Sequence, residues 1–257
     1  MLIEFYKYQG TGNDFIIIDD RDNIFDIDDK ALISALCERR IGIGADGLIL
    51  LRKHMHLDFE MLYFNSDGRQ SSMCGNGGRC IVSFASLLGI ISGEANFMAI
   101  DGVHRAKIYQ EVISLNMNDV HSIDFVKGGF VVNTGSPHFI KMVDDLDIVS
   151  VEKEGRRIRN LPSFKREGIN VNFVLCSDEL SMRTYERGVE AETLSCGTGV
   201  VAAAIAMHKG QYINNESVLV HTKGGSLSVD FNVVKESYIN IWLTGGVELV
   251  YTGEFEC

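Results

Sequence analysis

The chain has 257 residues, 46% hydrophobic and 23% charged, which suits one large soluble domain or two modest ones. A formal net charge of −11 argues against nucleic acid or an anionic membrane as a partner. No apolar run reaches the ~18 to 20 residues that span a bilayer, and Met1 to Tyr8 has no basic region followed by an apolar stretch and a cleavage site, so the expected location is cytoplasmic.

In chain order, residues 3–8 and 15–19 read as strands around the glycine-containing turn Gln9-Gly10-Thr11-Gly12-Asn13-Asp14. Asp28-Asp29 opens a helix that runs to about Arg39, with acidic residues first and Arg39-Arg40 at its end. A second glycine-rich turn, Ile41 to Gly47, leads into a strand from Leu48 to Leu51; Phe59 to Phe64 is another, closed by the turn Asn65-Ser66-Asp67-Gly68. Met73-Cys74-Gly75-Asn76-Gly77-Gly78-Arg79 precedes an apolar run, Cys80 to Leu88, that predicts a helix ended by Gly89. Residues 94–101, 103–110 and 111–117 alternate as a meander of strands.

The pattern then restarts. Gly129 to Asn133 is a strand, Thr134-Gly135-Ser136-Pro137-His138 a turn, and Phe139-Ile140 continues extended. Ser195-Cys196-Gly197-Thr198-Gly199 again precedes an apolar helical run, Val200 to Met207, closed by Lys209-Gly210. The Thr-Gly pairs at Thr11 and Thr134 are 123 residues apart, Cys74 and Cys196 are 122 apart, and Tyr63 and Tyr185 each stand 11 residues before a cysteine. These offsets predict a duplicated unit of roughly 120 residues. The expected fold is α+β: two similar, pseudo-twofold-related domains, each a mixed sheet wrapped around a central helix. Domain one spans 1–119, with about 247–257 able to complete it, and domain two spans 120–246. Pseudo-twofold symmetry would bring the two helix starts together at a cleft, the preferred place for a small molecule.

Of the six cysteines, Cys37 and Cys176 lie in apolar stretches and read as buried thiols, Cys257 is terminal and expected to be exposed, and Cys80 falls on the face of its helix opposite Cys74. No CxxC or HExxH spacing suggests zinc. Cys74 and Cys196 differ from the rest because each is expected at a helix N-terminus, where unpaired N–H groups and the dipole favour a thiolate and can bind an anion. Two such thiols fit inversion at an amino-acid Cα without a cofactor. One removes a proton from one face while the other returns one to the opposite face, and the donors of Gly75-Asn76 and Gly197-Thr198 hold the carboxylate as it gains charge.

Gly12-Asn13-Asp14-Phe15, Gly42 to Gly47, Phe64 to Gly68, Met73 to Gly77, Gly135-Ser136-Pro137-His138 and Tyr185-Glu186-Arg187-Gly188 closing on Cys196-Gly197-Thr198-Gly199 together resemble the diaminopimelate epimerase family, in its order and over nearly the whole chain. The resemblance implies a cofactor-independent interconversion of LL- and meso-diaminopimelate for lysine and peptidoglycan precursors, by an enzyme that is commonly a homodimer. It implies that Cys74 is the proton donor and Cys196 the acceptor in the forward direction. By the same resemblance His138 and Glu186 tune the thiols. Asn13, Asn65, Asn170 and Arg187 bind substrate, Arg187 by gripping a distal carboxylate, and Glu186 can meet the distal ammonium. Read as isolated residues, Asp14, Asp46 and Asp67 are turn and cap formers.

The chain departs from the family pattern at Gly47, where many members have glutamine, at Ser136, where asparagine is usual, and at the acidic segment Glu190-Ala191-Glu192. Two other functions fit parts of the sequence. A proline or hydroxyproline racemase would use the same two thiols, but the asparagines and Arg187 count against it. A binding or redox-sensing protein would pair Cys74 with Cys196 as a reversible disulfide.

Overall fold

The computed structural model describes residues 2–71 and 73–256, so Cys257 lies outside the described residues. The chain divides into two compact units, Met1–Leu115 with Gly245–Cys257, and Asn116–Thr244. Along the first part run β1 (Leu2–Gly10), β2 (Asn13–Asp19), α1 (Lys30–Cys37), β3 (Gly47–Arg52), β4 (Phe59–Asn65), α2 (Gly75–Leu87), β5 (Glu94–Ala99), β6 (Gly102–Tyr109) and β7 (Val112–Met117). Then follow β8 (Ile123–Val126), β9 (Gly129–Asn133), β10 (Pro137–Met142), α3 (Val151–Arg159), β11 (Asn170–Cys176), β12 (Leu180–Glu186), β13 (Ala191–Thr193) and α4 (Gly197–Lys209). The chain closes with β14 (Ser217–Thr222), β15 (Gly225–Val234), β16 (Ser237–Gly246) and β17 (Glu248–Glu256).

The two units repeat one connectivity. In the first, β17 pairs antiparallel with β1 and β1 with β2; β2 is then parallel to β3, β3 antiparallel to β4, β4 parallel to β5, and β5, β6 and β7 form an antiparallel meander. In the second, β8, β9, β10, β11, β12, β14, β15 and β16 pair in the same succession of senses. A parallel step needs a crossover, and α1, α2, α3 and α4 supply one each. The C-terminal strand β17 thus stands in the first unit where β8 stands in the second. Gly12 and Gly135, equivalent by this pairing, both have positive φ (82° and 102°), which a side chain would strain.

Between its helices the first sheet is buried on both faces, so Phe15-Ile16-Ile17-Ile18 is continuously apolar rather than alternating. Ile16, Ile18, Leu48 and Leu50 pack with Ile33 and Leu36 of α1. Phe15 and Ile49 face the other way, onto Gly77 of α2, which has no Cβ to hold them off. In the second unit Val171, Phe173 and Tyr185 pack with Val151 and Ile158 of α3, and alternate residues face α4, whose Val200 to Met207 are wholly buried.

Two expectations need correction. Alongside the central helix, the second unit contains α3, which the sequence did not announce. Gly155 in its middle reads as a breaker, yet a Cβ there would meet Tyr185 Cβ at 2.4 Å, so packing demands the glycine. The equal spacing of Tyr63 and Tyr185 is coincidental. Tyr63 pairs with Ile49 and meets Phe15, while Tyr185 pairs with Val171 and joins the α3 core, so strand pairing matches Tyr63 with Thr184 instead.

Candidate functional site

Cys74 and Cys196 are the N-cap residues of α2 and α4, both 13 residues long, and both cysteines have extended backbones. Neither side chain caps its helix, so the first-turn N–H groups of Gly75 to Gly77 and Gly197 to Gly199 are not taken up by the cysteine itself. Small residues made this possible: a helix start of Gly-Asn-Gly-Gly or Gly-Thr-Gly has little intrinsic helix propensity, and burial holds it in place. The first-turn residues Gly75, Asn76, Gly197 and Gly199 are buried, and Thr198 is half-buried.

Around Cys74, Asn13 Nδ2 donates to Asp46 Oδ2 at 2.6 Å, which fixes the amide so that its oxygen faces the other way. That oxygen accepts from Asn76 Nδ2 at 3.3 Å and lies 3.5 Å from Cys74 Sγ. An acceptor there suits the S–H form of Cys74. Asp46 is held by Arg39 at 2.9 Å, and Asp14 by Arg39 at 2.5 Å and Lys7 at 2.6 Å. Lys7 also donates to the Gly44 carbonyl. Burial alone would raise the Asp14 carboxyl, but its bonds to Arg39 and Lys7 outweigh this and hold it below the usual carboxylate range. Asp14 and Asp46 therefore brace Asn13 rather than merely shaping turns; Asp67 does form its turn, accepting from Arg69 N at 3.0 Å.

Around Cys196, Sγ lies 3.5 Å from Thr198 Oγ1, a hydroxyl that can donate to a thiolate. Thr198 Oγ1 is 2.9 Å from His138 Nε2, and His138 Nδ1 is 3.1 Å from Asn172 Nδ2. Thr184 Oγ1 donates to Asn172 Oδ1 at 2.9 Å. Burial, with the Arg187 charge adding to it, pushes the His138 imidazole down to about 3, so it is neutral at physiological pH. Thr198 Oγ1 thus stands between the neutral His138 ring and Cys196 Sγ. Burial pushes the Cys37 thiol up to about 12 and raises the buried Cys80 and the half-buried Cys176 as well, which disfavours their thiolates.

Asn170 and Arg187 are brought together, since Arg187 N donates to Asn170 Oδ1 at 2.8 Å. The Arg187 guanidinium reaches the Glu167 carbonyl at 3.0 Å and Ser136 Oγ at 3.4 Å, so Ser136 supports the arginine. Glu186 is the last residue of β12 and pairs with Ala191. Asn65 is exposed at the end of β4, above its turn to Gly68. At Gly47 a Cβ would meet the Tyr63 ring at 2.6 Å, so Tyr63 fills the space a longer side chain there would need. The acidic segment is structural: Glu190 binds Arg159 at 3.0 Å and Tyr185 Oη at 3.0 Å, and Glu192 binds Arg183 at 2.7 Å and Lys223 at 3.0 Å.

Sequence reasoning missed Thr11, Arg79, Asn172 and Thr184. Arg79 is fully buried and donates to Asn76 Oδ1 at 3.0 Å and Gly75 O at 3.3 Å. A charged residue one turn into an apolar helix is the signal that could have found it. Thr11 and Thr134 behave alike, reaching Asn76 Oδ1 at 3.3 Å and the Thr198 carbonyl at 2.8 Å. For Asn172 and Thr184 the only signal was a polar residue inside an apolar strand pattern.

The family model for diaminopimelate epimerase matches residues 5–120 and 130–250. A diaminopimelate epimerase from Flavobacterium psychrophilum is 49% identical over 252 residues, covering 97% of this chain and 98% of that protein. One from Aquifex aeolicus is 38% identical over 278 residues, covering 98% and 97%. Among solved structures, a Bacillus anthracis phenazine biosynthesis protein of the PhzF family superposes with a TM-score of 0.77 at 14% identity over 100% of both chains. A probable proline racemase from Agrobacterium radiobacter gives 0.70 at 15% identity, covering 99% of this chain and 93% of that one. At such identities the likeness shows the shared fold alone.

Proposed function

The chain belongs to the diaminopimelate epimerase family, and we propose that it interconverts LL- and meso-2,6-diaminopimelate without a cofactor, using Cys74 and Cys196 as the acid/base pair. The observation that carries this reading is the matched placement of the two thiols as N-caps of equivalent helices whose first-turn donors they leave open.

In the forward direction the Cys196 thiolate takes the Cα proton. The released electron pair moves into the α-carboxylate, and Cys74 delivers its S–H proton to the opposite face of Cα. Cys74 is left as thiolate and Cys196 as thiol, ready for the reverse reaction. The asymmetry of their neighbours supports this assignment, since the Asn13 oxygen favours a protonated Cys74 and the Thr198 hydroxyl favours an ionised Cys196. First-turn N–H groups of α2 and α4 stabilise the charge as it develops on the carboxylate.

Arg187 grips the distal carboxylate, with Glu186 on the distal ammonium, and Asn13, Asn65, Asn170, Gly75, Asn76, Gly197 and Thr198 complete the substrate contacts. On this reading the enzyme is a cytoplasmic homodimer serving lysine and peptidoglycan precursor synthesis. No described helix is long and apolar enough to cross a membrane. The test is proton NMR of the reduced protein in D₂O with LL-diaminopimelate and, separately, proline. Loss of the diaminopimelate Cα signal with appearance of the meso form, and none on proline, is expected. Exchange on proline alone would overturn the substrate, and exchange on neither would overturn the reaction.

A further inference from the structure

Strand pairing makes Phe15, Ile49 and Tyr63 of the first unit equivalent to His138, Asn172 and Thr184 of the second. Phe15 pairs with Gly47 as His138 pairs with Asn170, and Ile49 pairs with Tyr63 as Asn172 pairs with Thr184. The helices agree. A Cβ at Gly77 would meet Ile49 Cδ1 at 3.0 Å and Phe15 Cζ at 3.4 Å; one at Gly199 would meet Asn172 Oδ1 at 2.6 Å and His138 Cε1 at 3.3 Å. One unit thus builds this layer from a largely hydrophobic trio, so the fold does not require polar groups there. The other unit carries a fully buried polar chain in the same three places, with His138 and Asn172 at 0% exposure and Thr184 at 2%.

Burying polar groups is costly unless every one is bonded, and here the bonding has a direction. Asn172 offers its N–H₂ to His138 Nδ1 while its oxygen is taken by the Thr184 hydroxyl. A ring nitrogen that accepts carries no proton, so the hydrogen sits on Nε2 and points to Thr198 Oγ1. With its oxygen accepting from His138, Thr198 has its own hydrogen free to donate to Cys196 Sγ, 3.5 Å away.

We infer that Asn172 and Thr184 are positioning residues that lock neutral His138 in the Nε2–H tautomer, so that the chain Thr184→Asn172→His138→Thr198 ends in a hydroxyl donor aimed at Cys196. The role rests on the proposed two-thiol reaction, in which Cys196 must be held as thiolate, but its readouts need no turnover.

The test uses the intact, reduced protein labelled with ¹⁵N in its histidine rings, with His138 assigned from the spectrum of His138→Gln. Wild type is expected to show His138 with Nε2 protonated and Nδ1 bare, unchanged across about pH 5 to 8, where ordinary histidines titrate. In Asn172→Asp the carboxylate accepts from Nδ1, so the tautomer inverts and Nε2 draws the Thr198 hydrogen away from sulfur. Alkylation of Cys196 at neutral pH, followed by peptide mapping, should slow about tenfold, the effect of one pK unit, while Cys74 is unaffected. Thr184→Val, a milder change, should yield mixed tautomers, and Thr184→Ser should restore the wild-type signal.

An Nδ1–H or doubly protonated His138 in wild type would overturn the inference. So would an unchanged tautomer in folded Asn172→Asp, or in Thr184→Val where Asn172→Asp does not fold. A protein that keeps the Nε2–H tautomer yet leaves diaminopimelate untouched would sink the proposed substrate and leave this inference standing.

Discussion

Asn172 and Ile49 occupy the same place in two versions of one unit, and the difference between an amide and a methyl group there decides how a cysteine is treated. Side-chain chemistry at this scale was only partly legible. Cys74 and Cys196 could be found because each sits in a local run of small residues that announces a helix start. Asn172 and Thr184 could not, because His138 is 34 residues from Asn172 in sequence and meets it only through the β10–β11 pairing. The neutral, buried His138 has a consequence for stability. Its folded value of about 3 lies below the ordinary 6.5, so the unfolded chain binds the proton first and stability falls as pH drops through 6.5 toward 3. In urea unfolding across this range, the advantage of wild type over His138→Gln should shrink by about 2 kcal/mol between neutral pH and pH 5. Parallel stability curves for the two proteins would show that His138 takes up its proton in the folded state.

Helices α2 and α4 show how an element can be built against its own propensity. Glycines at Gly75, Gly77, Gly197 and Gly199 weaken both helix starts by about 1 kcal/mol each relative to alanine. At Gly77 and Gly199 a side chain is excluded because β-strand side chains pack directly onto the helix backbone. The neighbours differ, however: Gly77 faces the swinging end of Ile49, and Gly199 faces Asn172 Oδ1, which is pinned by Thr184. Gly199→Ala should therefore cost about 1–3 kcal/mol and Gly77→Ala distinctly less, as measured by chemical denaturation. Equal costs would mean that the Asn172 amide moves freely. At this scale the apolar runs of α2 and α4 and most strands were readable. Helix α3 was hidden by Gly155, whose reason for being glycine is the Tyr185 ring about 30 residues downstream.

For the molecule as a whole, the 123-residue offset between Thr11 and Thr134 read directly as duplication. The last strand was legible only as a segment able to complete the first unit, because pairing between chain ends leaves no local signature of its partner or register. In the structure β17 lines β1 from Leu2 opposite Glu256 to Gln9 opposite Glu248, and Phe5 packs on Tyr251 and Phe255. Ending the chain after Gly246 should strip hydrogen-exchange protection from β1 while α4 keeps its own. Protection retained in β1 would mean that the first unit is complete without β17. The duplication also frames the chemistry: two equivalent helix starts carry the same thiol, one beside an acceptor from Asn13 and the other beside a hydroxyl from Thr198. The proposed mechanism requires both thiols, each in its own direction. Its most direct test is epimerisation of LL-diaminopimelate by Cys74→Ser and Cys196→Ser, each checked for a native fold. Losing a positioned acid or base should cost each variant about 10²- to 10⁴-fold in turnover, whereas near-normal turnover in either one would contradict the two-thiol mechanism.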